Sequence, residues 1–184
     1  SSLTDPQGQA NSLQQIRQYC ISDPVEMFYE KGIDKNKAAL AKKTIPEMVL
    51  RALGYTVIES TARIEPVVYD VPVKTRYVPE GFFEAGLCVG VRLVCETSTE
   101  EGVIGTGMIE QRMFLPGDVE HMYWEVEGTP RTRMRVERLD SAHATAGNLF
   151  NRIPDIIAAR PGIVPVYEMG PLKSTANIAR ESSA

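Results

Sequence analysis

The residues that could carry chemistry are few, and each group has to be weighed against a purely structural use. The densest glycine run is Gly102-Val103-Ile104-Gly105-Thr106-Gly107. A dinucleotide loop of the form G-x-G-x-x-G counted from Gly105 needs its third glycine where Glu110 stands, and it must open a helix whose amides face a pyrophosphate. A strand-like run follows instead, so these are expected to be strand glycines that admit close approach of another segment. His121 and His143 are far apart and belong to no HxH or HExxH pattern, so no metal site is expected. His143 is a candidate all the same, because it falls in the first turn of a helix, where a hydrogen-bonding ring meets free backbone amides. Arg131, Arg133 and Arg135 alternate along one stretch and could clamp a carboxylate or phosphate. Glu125 and Glu127 lie on the expected partner strand of the hairpin and would neutralise them. Glu84 and Glu80 flank Gly81-Phe82-Phe83, a pairing of carboxylates with aromatic rings that suits an ammonium group but also suits a solvated turn. Cys20, Cys88 and Cys95 lack CxxC spacing and are expected to be buried fillers. On one unbroken strand Cys88 and Cys95, seven apart, would point to opposite faces. No G-x-S-x-G elbow occurs.

The elements that must position these residues follow from periodicity. Residues 1–22 are rich in Ser, Gln and Asn and read as a loosely held lead-in, after which Asp23-Pro24 offers a helix start. Lys35 to Leu53 reads as two helical pieces divided near Thr44, the second with Met48, Val49, Ala52 and Leu53 at helical spacing before Gly54. The texture then turns β-branched. Thr56 to Ile58 and Ile64 to Val73, interrupted by Pro66 and Pro72, suit an edge, whereas Leu87–Glu96 and Ile104–Leu115 are expected inside the sheet as a hairpin. A second hairpin, Met122–Glu127 with Arg131–Leu139, turns at Gly128-Thr129-Pro130, its Met/Trp/Val face expected to be core and its other face charged. Asp140-Ser141 begins a last helix to about Ala159 whose apolar stripe is expected to cover the sheet, with Pro154 kinking it. The fold expected is α+β: a mostly antiparallel or mixed open sheet with helices covering one face, one domain over residues 23–172, and a flexible tail over 173–184.

Composition narrows the class. A chain of 184 residues supports one core comfortably. The formal charge of −4, with no Lys/Arg-rich block, argues against nucleic acid, whose phosphates need a concentrated basic surface. No run approaches the ~18 uninterrupted apolar residues of a membrane span, and no secretory signal opens the chain, so a cytoplasmic protein with no membrane partner is expected.

With the segments in order, a family resemblance emerges. Leu50-Arg51-Ala52-Leu53-Gly54, Glu65-Pro66 and Glu80-Gly81-Phe82-Phe83-Glu84-Ala85-Gly86 resemble the C-terminal domain of the dihydrodipicolinate-reductase-like amine dehydrogenases, including 2,4-diaminopentanoate dehydrogenase. Glu127-Gly128-Thr129-Pro130 resembles that family's strand turn. The run from Ala144 through Asn151 to Pro154, followed by Ala158-Ala159-Arg160-Pro161-Gly162-Ile163, resembles its last helix and is the most specific part. The resemblance covers about Gly32 to Leu172 and only the family's second half. It implies an NAD(P)-dependent amine or imine oxidoreductase in which a Rossmann domain, absent from this chain, binds the cofactor, while this half closes the substrate pocket and builds a sheet-mediated homodimer. Thr145 and Asn151 are carried over as the residues facing substrate or cofactor, and Gly86 as the glycine leading into a strand. Where relatives have a small polar residue after that glycine, this chain has Leu87-Cys88, so its substrate is expected to differ. Gly147, inside a helix, is expected to mark close packing against another backbone.

Two functions remain open at this level. One is the substrate-binding and dimerisation half of an oxidoreductase, binding no cofactor alone but NAD(P) once a Rossmann partner is supplied. The other is a stand-alone, non-redox protein, binding a small molecule, cyclase-like, or serving as a scaffold.

Overall fold

The computed structural model describes residues 20–74, 81–115, 117–137 and 141–172, the side chains of Ser141, Ala142, Ala144 and Tyr167 excepted. Most of the lead-in, Glu80, Leu139, Asp140 and the tail expected from Lys173 onward lie outside the described residues. The chain falls into two compact units divided between Glu120 and His121.

Cys20 and Ile21, at the end of the expected lead-in, are buried, 1% and 3% exposed. Helix α1 (Val25–Glu30) follows Pro24 and buries Phe28, while Asp23 pairs with Lys31 across it at 2.9 Å. The two helical pieces expected next are present. A short α2 (Lys37–Leu40), capped by the Asn36 side chain accepting from Ala38 and Ala39, runs through a 3-10 turn (Ala41–Lys43) into α3 (Thr44–Ala52). Gly54, at φ +90°, ends α3 in a conformation other residues resist.

Three antiparallel strands form the main sheet in the order β1 (Val57–Val68), β4 (Cys88–Thr99), β5 (Ile104–Arg112). Short β2 (Val73–Lys74) and β3 (Phe82–Phe83) pair separately. Pro66 sits in the edge strand β1, as its missing amide requires. The hairpin β4–β5 is also as expected, but β4 extends to Thr99 and only β4 is interior, because among the described residues no strand pairs with the far side of β5. The acidic turn between them is tied back to the sheet, since the Glu101 carboxylate accepts the Thr56 amide at 2.9 and 3.1 Å.

One face of this sheet is covered by the N-terminal helices. The buried residues of α3 are Pro46 and Leu50, while of the four at helical spacing Met48 and Val49 are half-buried and Ala52 and Leu53 exposed, and the reason lies on β5. A Cβ at Gly105 would stand 2.9 Å from Leu50 Cδ1, and one at Gly107 3.3 Å from Pro46 Cδ. The two glycines therefore form a seat on which α3 lies, which is the structural use expected of them.

Strand β4 also corrects the expectation for its cysteines. Val67 and Val68 pair with Gly90 and Cys88, leaving Val89 as an extra residue. Such a bulge inverts the alternation beyond it. Cys88 thus joins Val91, Leu93 and Cys95 in one core with Cys20, Phe28, Ile33 and Ile64, while Val89 enters a second core with Ile21, Val67, Val73, Phe83 and Met113.

The second unit holds the hairpin β6 (His121–Val126) and β7 (Thr132–Glu137), helix α4 (Ser141–Ala158) and a 3-10 turn (Val166–Glu168). Helix α4 continues through Pro154. Met122 pairs with Val136 and Trp124 with Met134, so the apolar face is as expected, yet it is not core: Trp124 is 48% and Met134 52% exposed.

The closest approach in the sheet yields a prediction. A Cβ at Gly90 would lie 2.3 Å from the Gln111 carbonyl oxygen and 2.5 Å from Arg112 Cα, both backbone-fixed. Gly90→Ala is expected to destabilise the first unit by about 2 to 3 kcal/mol, as overpacking against an immovable neighbour does. Urea unfolding would register it as a lowered midpoint; an unchanged midpoint contradicts the register.

Candidate functional site

Helix α4 carries three of the four residues singled out by sequence. Thr145 and His143 are exposed and Asn151 is half-buried, whereas the fourth, Glu84, is exposed just past β3 in the first unit. At 100° per residue, Thr145 and Asn151 lie about 120° apart around the axis, so α4 does not present them on one line.

The orientation of α4 is the reverse of the expected one. Ala146 apart, its half-buried residues are Gly147, Asn151, Arg152, Asp155 and, just beyond it, Ala159, mostly an i, i+4 line. The C-terminal segment is fastened to the polar side: Arg152 donates to Asp155 at 2.7 Å and to the Gly170 carbonyl at 3.2 Å, and Arg160 pairs with Glu168. The apolar stripe is the exposed side, with Leu149 69%, Phe150 67% and Ile157 80% exposed. Among the described residues nothing lies within 4 Å of a Cβ added at Gly147, so they supply no close packing there.

The arginine run is not a free clamp. Arg131 reaches Glu125 at 2.5 Å and Glu127 at 3.0 Å, Arg133 reaches Glu125 at 2.7 Å, and Arg135 reaches Glu137 at 3.4 Å. Glu125 is the hub. The Tyr123 hydroxyl, then Arg133 and Arg131, all donate to its carboxylate and hold its pKa down to about 2.

Sequence reasoning missed a cluster around Arg112 in the first unit. Its Nε donates to Glu110 at 2.6 Å, and its Nη1 donates to Asp118 Oδ2 at 2.5 Å, to the Met113 carbonyl at 3.2 Å and to the Tyr69 hydroxyl. The guanidinium lies 5.6 Å from the Tyr69 ring centroid and 5.8 Å from that of Phe114. Burial and the neighbouring guanidinium act oppositely on Tyr69, and burial prevails, raising its pKa. Alternation of Glu110 and Arg112 on one strand face was the sole local signal; Tyr69 is too distant in sequence to be foreseen.

The cavity under the helices, lined by Ile33, Asn36, Ile64, Leu93 and Gln111 among others, holds about 40 Å³, room for about a water. A groove of about 350 Å³ beside Lys37, Leu40, Lys43 and Ala62 is open to solvent. The glycine run does not fit a dinucleotide: Gly105 and Gly107 are occupied by the α3 seat, and β5 continues where a phosphate loop would need a helix. The three thiols are free and buried, and burial pushes Cys88 up to about 11, which suppresses the thiolate that any nucleophile needs. Among the described residues, no group of three His, Cys, Asp or Glu could hold a metal ion, and no helix is long and apolar enough to cross a membrane.

This is an α+β chain, with helices over one face of an antiparallel sheet. Residues 25–183 match the family model of the 2,4-diaminopentanoate dehydrogenase C-terminal domain, and the chain belongs to that family. Among solved structures it is similar to an amine dehydrogenase from Mycobacterium smegmatis, with a TM-score of 0.68 and 24% identity over 88% of this chain. The likeness spans 47% of that protein's chain, so this chain corresponds to about half of it. No curated protein matches.

The Glu125 hub gives a pH prediction. Its folded pKa lies below the ordinary 4.5, so its contribution to the hairpin is fully present above that value and fades as the pH falls through about 2. An NMR titration of the Glu125 carboxyl carbon should show no midpoint near 4.5, and Tyr123→Phe should move the midpoint upward. A midpoint at 4.5 in the unaltered protein would contradict the ion-paired hub.

Proposed function

We propose that this chain is the substrate-side and dimer-forming half of an NAD(P)-dependent amine or imine oxidoreductase, acting with a separate dinucleotide-binding domain. The family match over residues 25–183 carries the proposal, because that family is the C-terminal domain of a dehydrogenase acting on a diamino acid. The likeness to half of an amine dehydrogenase agrees with it. On this account Thr145, Asn151, His143 and Glu84 face substrate or cofactor, and an amine is the substrate class. The three buried free thiols suit a reducing cytoplasm.

The second unit supports a homodimer. Met122, Trp124, Val126, Met134 and Val136 lie open on one face of a two-stranded sheet, a structure that is marginal without something packed on it. The opposite face has spent its charges on itself. The stripe of α4 leaves further large apolar side chains exposed, Leu149, Phe150 and Ile157 among them, which a second copy could also cover. A second copy meeting the hairpin face would stack sheet on sheet about 10 Å apart.

Two measurements test these proposals. Joined to a dinucleotide-binding domain of an amine dehydrogenase, the chain should form NAD(P)H in the presence of 2,4-diaminopentanoate or a related amine; failure across a panel of amines with a correctly folded fusion would sink the redox proposal. By light scattering at micromolar concentration the chain should be a dimer, and Trp124→Glu should yield a folded monomer. A monomeric unaltered protein would overturn the dimer.

A further inference from the structure

Strand β5 ends at Arg112, and the residues from Met113 to Glu120 lead to the boundary where the second unit begins. We infer that Arg112 is a clamp on this departing segment, holding both Met113 and Asp118 to the end of β5 and to Tyr69.

Three features support a clamp over a simple surface ion pair. First, the bonds run in different directions from one group: back along β5 to Glu110, sideways to Tyr69, and forward to the Met113 carbonyl and Asp118. Only a planar guanidinium offers several donors held at fixed angles, whereas a lysine would be a single point charge. Second, both ends are anchored independently. Glu110 is also held by Arg92 of β4 at 2.7 Å, the Met113 amide donates to the Val89 carbonyl at 2.8 Å, and the Tyr69 hydroxyl donates to the Met113 carbonyl at 3.1 Å. Third, the Asp118 oxygen that accepts from Arg112 also accepts the Leu115 amide at 2.8 Å, while the Asp118 amide donates to the Leu115 carbonyl at 3.0 Å. Locking Asp118 therefore locks a turn. Arg112, Glu110 and Asp118 are each less than one-third exposed, which limits screening by salt. Arg112 is a positioning residue, and its role stands whether or not the redox proposal does.

Amide hydrogen exchange on the full chain tests the clamp. In Arg112→Gln the Leu115 and Asp118 amides should exchange on the order of tenfold faster, with Leu93 and Cys95 in β4 unchanged, since a charge-assisted bond contributes enough for such a local opening. Arg112→Lys, which keeps the charge without the fork, should behave alike. Asp118→Asn, which leaves β5 intact, should also speed exchange at Leu115 if the first variants fail to fold. Unchanged exchange at Leu115 and Asp118 would overturn the clamp. So would an equal rise at Leu93 and Cys95, because Arg112 would then brace the whole unit rather than its departing segment.

Discussion

Strand β4 has neighbours on both sides, and at Gly90 the neighbour on one side comes closer than any side chain permits. That contact sets the end of β5, and one residue earlier the extra Val89 divides the strand between two cores. The two features work together. Without the missing side chain, β5 would be forced away from β4 where Arg112 and Met113 begin the path out of the unit. With unbroken alternation in place of the bulge, Cys88 and Val89 would exchange cores, placing a small thiol among the residues around Phe83 and a branched chain beside Cys20 and Phe28. The helices depend on the same sheet, since α3 reaches it only because β5 carries glycine at both positions beneath Pro46 and Leu50.

The second unit obeys a different constraint. Its hairpin and helix place their charges in bonds within the unit and leave their apolar groups outward, the reverse of how an independent unit economises on exposed surface. Arg131, Arg133 and Arg135 neutralise glutamates on their own hairpin, and Arg152 fastens α4 to the Gly170 carbonyl. What stays open is Trp124 with its methionine neighbours, and Leu149, Phe150 and Ile157 on α4. An apolar face left open in this way is what the proposed dimer would cover.

The candidate site was only partly legible in the residues. The ending motif of α4 was specific enough to lead to the right family, and the alternation of the hairpin identified both its faces and the pairing of Arg131 and Arg133, though not that of Arg135 with Glu137. Pairs such as Tyr69 with Arg112 left no local trace, because a hydrogen bond across so long a stretch of chain depends on where β1 and β5 end rather than on any motif. Thr145 and Asn151 drew attention as neighbours in a motif, but helical geometry separates them around the axis.

Local periodicity determined the class of element nearly everywhere: helices before Gly54, β-branched strands after it, a Pro-bearing edge, a two-faced hairpin and a long last helix. These follow from side-chain spacing, which is a property of neighbouring residues and needs no partner. Which face meets which neighbour was decided only in the tertiary structure. The bulge at Val89, the turn of α4 that half-buries Asn151 and exposes Leu149, and the gathering of Tyr69, Glu110 and Asp118 around Arg112 all require distant segments to compete for the same space, and periodicity contains no measure of that competition.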